Sequence, residues 1–361
     1  MRYLLASDNT LIVRGPASFR LLDGEATVLG APLDSNQRLV VRQEKQLPIE
    51  ARSETDLEIT LGESGSVFEV EGSTIPTSWE SAAEALAEME QGKVMVIGAT
   101  DVGKSTLSTY LTNRLFGEGI ESPVVDGDIG QADIGPPTTV GRAVPTGYVS
   151  SLVDLRPETL IFIGHTTPSQ VETKIIDGIR RLAARDEKSL TIINTDGWVL
   201  DPEAVIYKIR MIEAIQPDLI LGISNGAELQ PILSGARGRS FLIDAPRNVL
   251  ARSQSDRREI RTAGYRRFLY GSKTRTYSLS DIKLTLPKGV SSVRAATSLD
   301  LRNLIAGLLD NEGYLLQIGI LLELGRSSLR LHSRAANGVK EIQLGHVKLS
   351  IDGLELGHLE L

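Results

Sequence analysis

Gly98-Ala99-Thr100-Asp101-Val102-Gly103-Lys104-Ser105-Thr106 fits the phosphate-loop pattern G-x-x-x-x-G-K-[ST] at every fixed position. The glycines let backbone N–H groups approach phosphate oxygens, and a helix starting at the lysine adds partial positive charge there. In this pattern Lys104 reaches the β- and γ-phosphates and the Ser105 hydroxyl ligates Mg²⁺. The run therefore predicts a nucleoside triphosphate site with Mg²⁺, or another divalent cation such as Mn²⁺, beside it. The pattern needs a strand before it and a helix after it. Val94-Met95-Val96-Ile97 is apolar, and Leu107, Leu111 and Leu115 recur at helical spacing.

A phosphate loop alone does not separate a kinase from an ATPase or GTPase. Three further constellations bear on that choice. Asp126-Gly127-Asp128 follows the apolar run Pro123-Val124-Val125. A carboxylate at a strand tip can manage Mg²⁺ and the attacking group, so Asp128 could accept the proton of a hydroxyl or hold a metal-bound water. Both carboxylates could also simply open a turn. Between Arg252 and Arg275 lie eight basic and two acidic residues, a local charge of +6 in a chain of net charge −7. Arg252, Arg257, Arg258 and Arg261 repeat so that several guanidiniums share one helical side, as in a lid over a migrating phosphoryl group. The competing reading is a solvated helix face. Trp198, in Asn194-Thr195-Asp196-Gly197-Trp198, follows an apolar strand and could stack on a base or fill a core. Gly164-His165-Thr166-Thr167-Pro168 occupies another strand tip, with Thr167 able to contact phosphate or cap a helix. His165 has no partner histidine at metal-ligand spacing, and no Ser-His-Asp pattern stands out.

The elements that must hold these residues follow from periodicity. Residues 1–76 contain short β-rich pieces broken by turn signals and predict a small β-sandwich-like domain. Ser78 is the expected N-cap of a helix from Trp79 to Met89. Over 77–271, apolar runs at 94–97, 124–125, 160–163, 190–193, 219–223 and 241–243 alternate with helical patterns at 104–116, 171–184, 203–215 and 226–234. This predicts an α/β domain with a mostly parallel sheet, helices on both faces, and an arginine lid over about 248–268. Residues 272–361 return to period two and predict a C-terminal β-rich domain with a helix near 299–309. The absence of cysteine excludes disulfides and thiolate metal sites. The lack of a signal-like start or a long apolar run points to a cytoplasmic protein with no membrane partner.

Taken together, these segments resemble the polynucleotide 5′-hydroxyl kinases, the family of the RNA kinase subunit of the pre-mRNA cleavage complex. The carrying motifs are Val94–Thr106, Asp126-Gly-Asp-Ile-Gly-Gln131, Gly164-His-Thr-Thr-Pro168, Asn194-Thr-Asp-Gly-Trp198 and Arg252-Ser-x-x-x-Arg-Arg-Glu-x-Arg261, in that order. Gly24–Leu33, Tyr270-Gly271 and Leu279–Lys283 extend the likeness across the flanks. The resemblance implies that Gly98–Thr106 holds ATP, with Lys104 on its phosphates and Ser105 and Asp128 at Mg²⁺. It implies that Asp128 activates the 5′-hydroxyl of RNA or DNA. Gln131 would lie near the transferred group, Arg252 and Arg257 would stabilise the transition state, and Trp198 would meet the terminal nucleotide. Two departures stand out. The family's Thr-x-Asn clasp is replaced here by Ser169-Gln170-Val171, and the adenine contacts do not align clearly, Arg38 being a candidate. The compact chain looks like an archaeal member.

The same motifs admit an ATP-bound scaffold subunit of an RNA-processing complex, in contact with other processing proteins. Intact Lys104, Ser105, Asp128 and Arg257 favour turnover instead. A regulatory switch ATPase or GTPase is the third reading, weakened by Ala-Thr-Asp-Val between the loop glycines.

Overall fold

The computed structural model describes residues 1–186, 188–296 and 299–359. Nine strands precede the first helix: β1 Arg2–Leu5, β2 Thr10–Arg14, β3 Ala17–Asp23, β4 Ala26–Val28, β5 Ala31–Pro32, β6 Leu39–Val41, β7 Gln46–Ala51, β8 Thr55–Leu61 and β9 Ser66–Val70. They form two sheets of order β1-β8-β3-β6 and β5-β4-β7-β2-β9. Alternation drives the burial: in β3, Ala17, Phe19 and Leu21 point inward while Arg20 is exposed.

The middle of the chain alternates helix and strand: α1 Thr77–Ala87, β10 Gly92–Gly98, α2 Lys104–Gly117, β11 Val124–Asp126, β12 Thr139–Ala143, β13 Thr159–Phe162, α3 Glu172–Ala183, β14 Leu190–Asn194, α4 Pro202–Ile215, β15 Leu219–Ser224, α5 Gln230–Gly235, β16 Arg239–Asp244 and α6 Gln254–Leu269. The C-terminal part adds β17 Lys273–Ser278, β18 Lys283–Thr285, α7 Val293–Ala296, β19 Leu304–Leu309, β20 Leu315–Leu324, β21 Ser328–Ser333, β22 Glu341–Leu349 and β23 Glu355–His358. The chain is therefore α/β with β-rich regions at both ends. It divides into two compact units, one of residues 1–124, 144–156 and 185–256, the other of 125–143, 157–184 and 257–361.

In the first unit β14, β10, β15 and β16 lie side by side, all parallel. Val94 to Ile97 of β10 are wholly buried, as expected for a parallel strand covered on both faces. Leu107, Leu111 and Leu115 of α2 are likewise buried, and α2 packs on β10 and β14. The N-terminal sheets are joined to this core: Asn113 on α2 donates to the carbonyls of Leu29 and Val149, at 2.8 and 2.9 Å. Ser78 does not cap α1 as expected. Pro76 holds that position without a side-chain bond, and the Ser78 hydroxyl instead donates to the Asp244 carboxylate and accepts from the Asp244 N–H.

In the second unit the order is β13-β12-β11, with β12 and β13 antiparallel. A further sheet runs β17-β21-β20-β19-β22-β18, with β23 on the flank of β22. Tyr265 and Leu269 of α6 share a core with Phe162, Ile305, Ile318, Ile320 and Val347. The helix expected near 299–309 is strand β19 instead. Its run Leu-Ile-Ala-Gly-Leu-Leu is buried at every position, and such a run has no period that separates strand from helix.

Candidate active site

The phosphate loop in the first unit turns sharply between β10 and α2. Asp101 and Gly103 both have left-handed backbone, with φ of 58° and 101°. Glycine accepts this conformation freely, and Asp is among the few other residues that tolerate it. A Cβ at Gly98 would come within 2.8 Å of the Ile223 carbonyl and of Val102 Cγ2, so the backbone there must pass unobstructed. Lys104 is buried, and its Nζ donates to the carbonyl of Ala99 at 2.7 Å, spanning the loop it belongs to. Asn194, at the tip of β14, donates to the Ser105 hydroxyl at 3.4 Å. Thr106 follows in the first turn of α2. The glycine-lined turn, the lysine ammonium and the hydroxyl at a helix N-terminus suit a triphosphate and its cation.

Arg252 belongs to this loop by contact. Its backbone N–H donates to Asp101 Oδ2 at 3.0 Å, its Nη1 lies 3.6 Å from Oδ1, and its Nε donates to the Glu44 carbonyl at 3.2 Å. Just beyond it, Ser253 N–H donates to the Asp256 carboxylate and Asp256 N–H to the Ser253 hydroxyl, a reciprocal cap at the start of α6.

Trp198 stands on a rigid base. A Cβ at Gly197 would meet Thr100 backbone atoms at 2.8 Å, so the segment after β14 runs against the phosphate loop. Asp196 accepts from the Trp198 N–H at 3.0 Å and from the Tyr207 hydroxyl at 2.9 Å, and its carboxylate pairs with Lys208 at 2.9 Å, both charges buried. The half-buried Trp198 ring lies 5.5 Å from that of Tyr207, and its Nε1–H donates to Asp201 at 2.6 Å. Arg38 lies on the N-terminal sheet, where it pairs with Glu58 and donates to the Ser18 hydroxyl.

The second unit holds the carboxylates. Asp126 is buried and accepts three backbone N–H groups, from Asp128, Asp133 and Ile134. Burial, then the charges of Asp133 and Asp128, push its pKa up to about 7. Asp126 thus organises the turn. Asp128 is less buried, and its Oδ1 accepts from the N–H groups of Gly130 and Gln131, at 3.1 and 2.9 Å. Gln131 donates to the Gly130 and Arg257 carbonyls, tying the carboxylate turn to α6. Arg258 and Arg261 both reach Glu355 of β23: Arg258 Nε donates to its carbonyl at 3.1 Å, and Arg261 makes a forked contact with its carboxylate at 2.6 and 2.8 Å.

Thr167 lies exposed in the turn after β13, its N–H donating to His165 Nδ1 at 2.9 Å. His165 has companions that sequence spacing did not reveal. The rings of His358 and His346, from the far end of the chain, lie 5.1 and 5.5 Å away. Burial, then His358 and His346, lower the His165 pKa to about 4. Among the described residues no three His, Cys, Asp or Glu side chains form a group that could hold a metal ion, and no helix is long and apolar enough to cross a membrane.

The fold and loop define a P-loop nucleotide-binding protein flanked by β-rich regions. Residues 98–271 match the family described as mRNA cleavage and polyadenylation factor CLP1 P-loop. A polyribonucleotide 5′-hydroxyl-kinase of Pyrococcus horikoshii is 30% identical over 340 residues, covering 79% of this chain and 94% of that protein. One from Pyrococcus furiosus is 29% identical, covering 79% and 96%. The chain belongs to this CLP1 family of polyribonucleotide 5′-hydroxyl-kinases. A chain in a solved Clp1p–Pcf11p structure shares the fold, with TM-score 0.72 at 14% identity over 96% of this chain and 98% of that one.

Proposed function

We propose that the protein is an ATP-dependent polynucleotide 5′-hydroxyl kinase acting on RNA ends. The observation that carries this is the phosphate loop, with Lys104 folded across it and Arg252 fastened to its Asp101, in a chain 30% identical to a polyribonucleotide 5′-hydroxyl-kinase. In the reaction the 5′ oxygen forms a bond to the γ-phosphorus, the bond from that phosphorus to the β,γ-bridging oxygen breaks, and ADP leaves. We assign Asp128 to take the hydroxyl proton, since its more exposed carboxylate contrasts with the buried Asp126. Lys104, Arg252 and Arg257 stabilise charge on the phosphoryl oxygens. Gly98 to Thr106 hold the nucleotide. Ser105 and Asp128 would hold Mg²⁺ or Mn²⁺, which would neutralise phosphate charge. Gln131, Thr167, Trp198, Arg258 and Arg261 serve the acceptor end, Trp198 by presenting a ring to the terminal base.

Incubation with γ-labelled ATP, Mg²⁺ and a 5′-hydroxyl oligoribonucleotide tests this. Label should move to the oligonucleotide and not to one already bearing a 5′-phosphate. Absence of transfer across pH and temperature would refute the reading. A matched DNA oligonucleotide in competition reads the sugar preference. A cytoplasmic site of action and contact with RNA-processing proteins belong to the same proposal.

A further inference from the structure

Two elements assigned above to the acceptor end lean on one short strand, β23. Its pairing with β22 runs Val347 with His358 and Lys348 with Gly357, then jumps to Leu349 with Glu355. Leu356 is the additional residue of a β-bulge. In a regular strand residues three apart face opposite sides. The bulge re-phases the strand, so Glu355 and His358 sit opposite Val347 and Leu349, two residues of one face.

Each of the two makes a specific attachment. Glu355 is buried, and its carboxylate takes both arms of the Arg261 guanidinium while its carbonyl takes Arg258. Burial works against the Arg261 charge, but the Glu355 hydrogen bond and charge outweigh it, with help from Tyr265 and Asp128, and hold that guanidinium more basic than usual. His358 Nε2 lies 3.0 Å from the Thr166 hydroxyl, and its ring stacks on His165, whose Nδ1 anchors the Thr167 N–H. Burial lowers the His358 pKa, and the charges of Glu355 and Arg261 also act on it. The ring, the carboxylate and the guanidinium are therefore neighbours.

We propose that Glu355, with His358 beside it, is a positioning residue for the acceptor end, fixing the arginine face of α6 and the Thr166-Thr167 turn on one strand face. A helix is fixed in rotation once one residue of a face is clamped. Arg261 and Arg257, four apart, share a face. Clamping Arg261 to Glu355 therefore sets the direction of Arg257, while Gln131 holds the Arg257 carbonyl from the carboxylate turn. The bidentate geometry matters, because a fork fixes orientation where a single contact does not.

The inference rests on the kinase reading, and the test separates the two. Glu355→Gln keeps the size and one acceptor but removes the charge and half the fork. With the full chain, kcat/KM for a 5′-hydroxyl oligoribonucleotide should fall about tenfold, with the KM for ATP within about twofold of wild type. Glu355→Asp should recover part of the loss. His358→Ala should raise the oligonucleotide KM about threefold, and it serves as the second variant if Glu355→Gln fails to fold. Unchanged oligonucleotide kinetics in Glu355→Gln overturn the proposal. So does an equal loss of ATP and oligonucleotide affinity with a lowered Tm, which marks a merely structural role. If the wild type transfers no phosphate, the kinase reading fails by itself. Anisotropy of a labelled 5′-hydroxyl oligoribonucleotide then decides, where Glu355→Gln must still weaken binding about tenfold.

Discussion

Arg252 is fastened to Asp101 of the phosphate loop twice, by a backbone N–H to Oδ2 at 3.0 Å and by a guanidinium nitrogen 3.6 Å from Oδ1. Asp101 reaches it from a left-handed backbone, φ 58°, that few side chains tolerate. The loop therefore sets the position of the arginine that precedes α6. Asp101→Asn keeps the backbone tolerance and removes the charge. It should lower kcat about tenfold, the size expected when one charge-assisted contact that contributes about 1.5–3 kcal/mol is weakened. Single-turnover transfer with saturating ATP checks it. A wild-type rate in Asp101→Asn would show that Arg252 does not depend on the loop.

Local chemistry was legible in the sequence where the signal is local. The phosphate loop, its strand and its helix lie within 26 residues, from Gly92 to Gly117, and the fold places them as expected. What could not be read depends on distant chain. Glu355 meets Arg261 across 94 residues, and His358 meets Thr166 across 192. Neither residue type carries a motif, and the bulge that aligns them leaves no periodic trace. Ser78 had the chemistry of an N-cap, but the Asp244 carboxylate competed for its hydroxyl and Pro76 took the cap. The run Leu304–Leu309 was ambiguous for another reason: burial on every side erases the alternation that marks a strand.

Asp128 offers a clean separation of charge from structure. Its Oδ1 accepts from the N–H groups of Gly130 and Gln131, and an asparagine oxygen can accept the same two bonds. Asp128→Asn should keep a Tm near wild type while transfer falls about 10²–10⁴-fold, the contribution expected of a general base. ATP affinity, read by equilibrium binding, should remain. A variant that retains transfer would remove Asp128 from the chemistry.

The histidine cluster predicts an acid-sensitive fold. His165 has a pKa lowered from 6.5 to about 4, mainly by burial and then by His358 and His346. The unfolded chain therefore binds more protons than the folded one between those values. Its contribution to stability is present above pH 6.5 and is lost as pH falls towards 4. His346 and His358 are shifted in the same direction, also chiefly by burial, and steepen the loss. An asparagine oxygen can accept the N–H two residues on, so His165→Asn should replace the bond to Thr167 without a titrating group. The fall in Tm between pH 7 and pH 4 should be shallower in His165→Asn than in wild type. Parallel Tm profiles would refute this.

Lys208 and Asp196 test how Trp198 is held. Their charges are 2.9 Å apart, with side-chain exposures of 0% and 3%. Lys208 also donates to the Asp196 carbonyl, and Asp196 accepts from the Tyr207 hydroxyl and the Trp198 N–H. Removing the ammonium strands a carboxylate in the interior, where loss of one partner costs about 3–5 kcal/mol. Lys208→Ala should lower the unfolding free energy by that amount, measured by urea denaturation. Lys208→Ala with Asp196→Ala should recover part of it, because no unpaired charge is left behind. The ring of Trp198 rests on Tyr207, so the single variant should also raise the oligonucleotide KM more than the ATP KM. A single variant as stable as wild type would mean that water reaches the stranded carboxylate and the pair does not brace the ring.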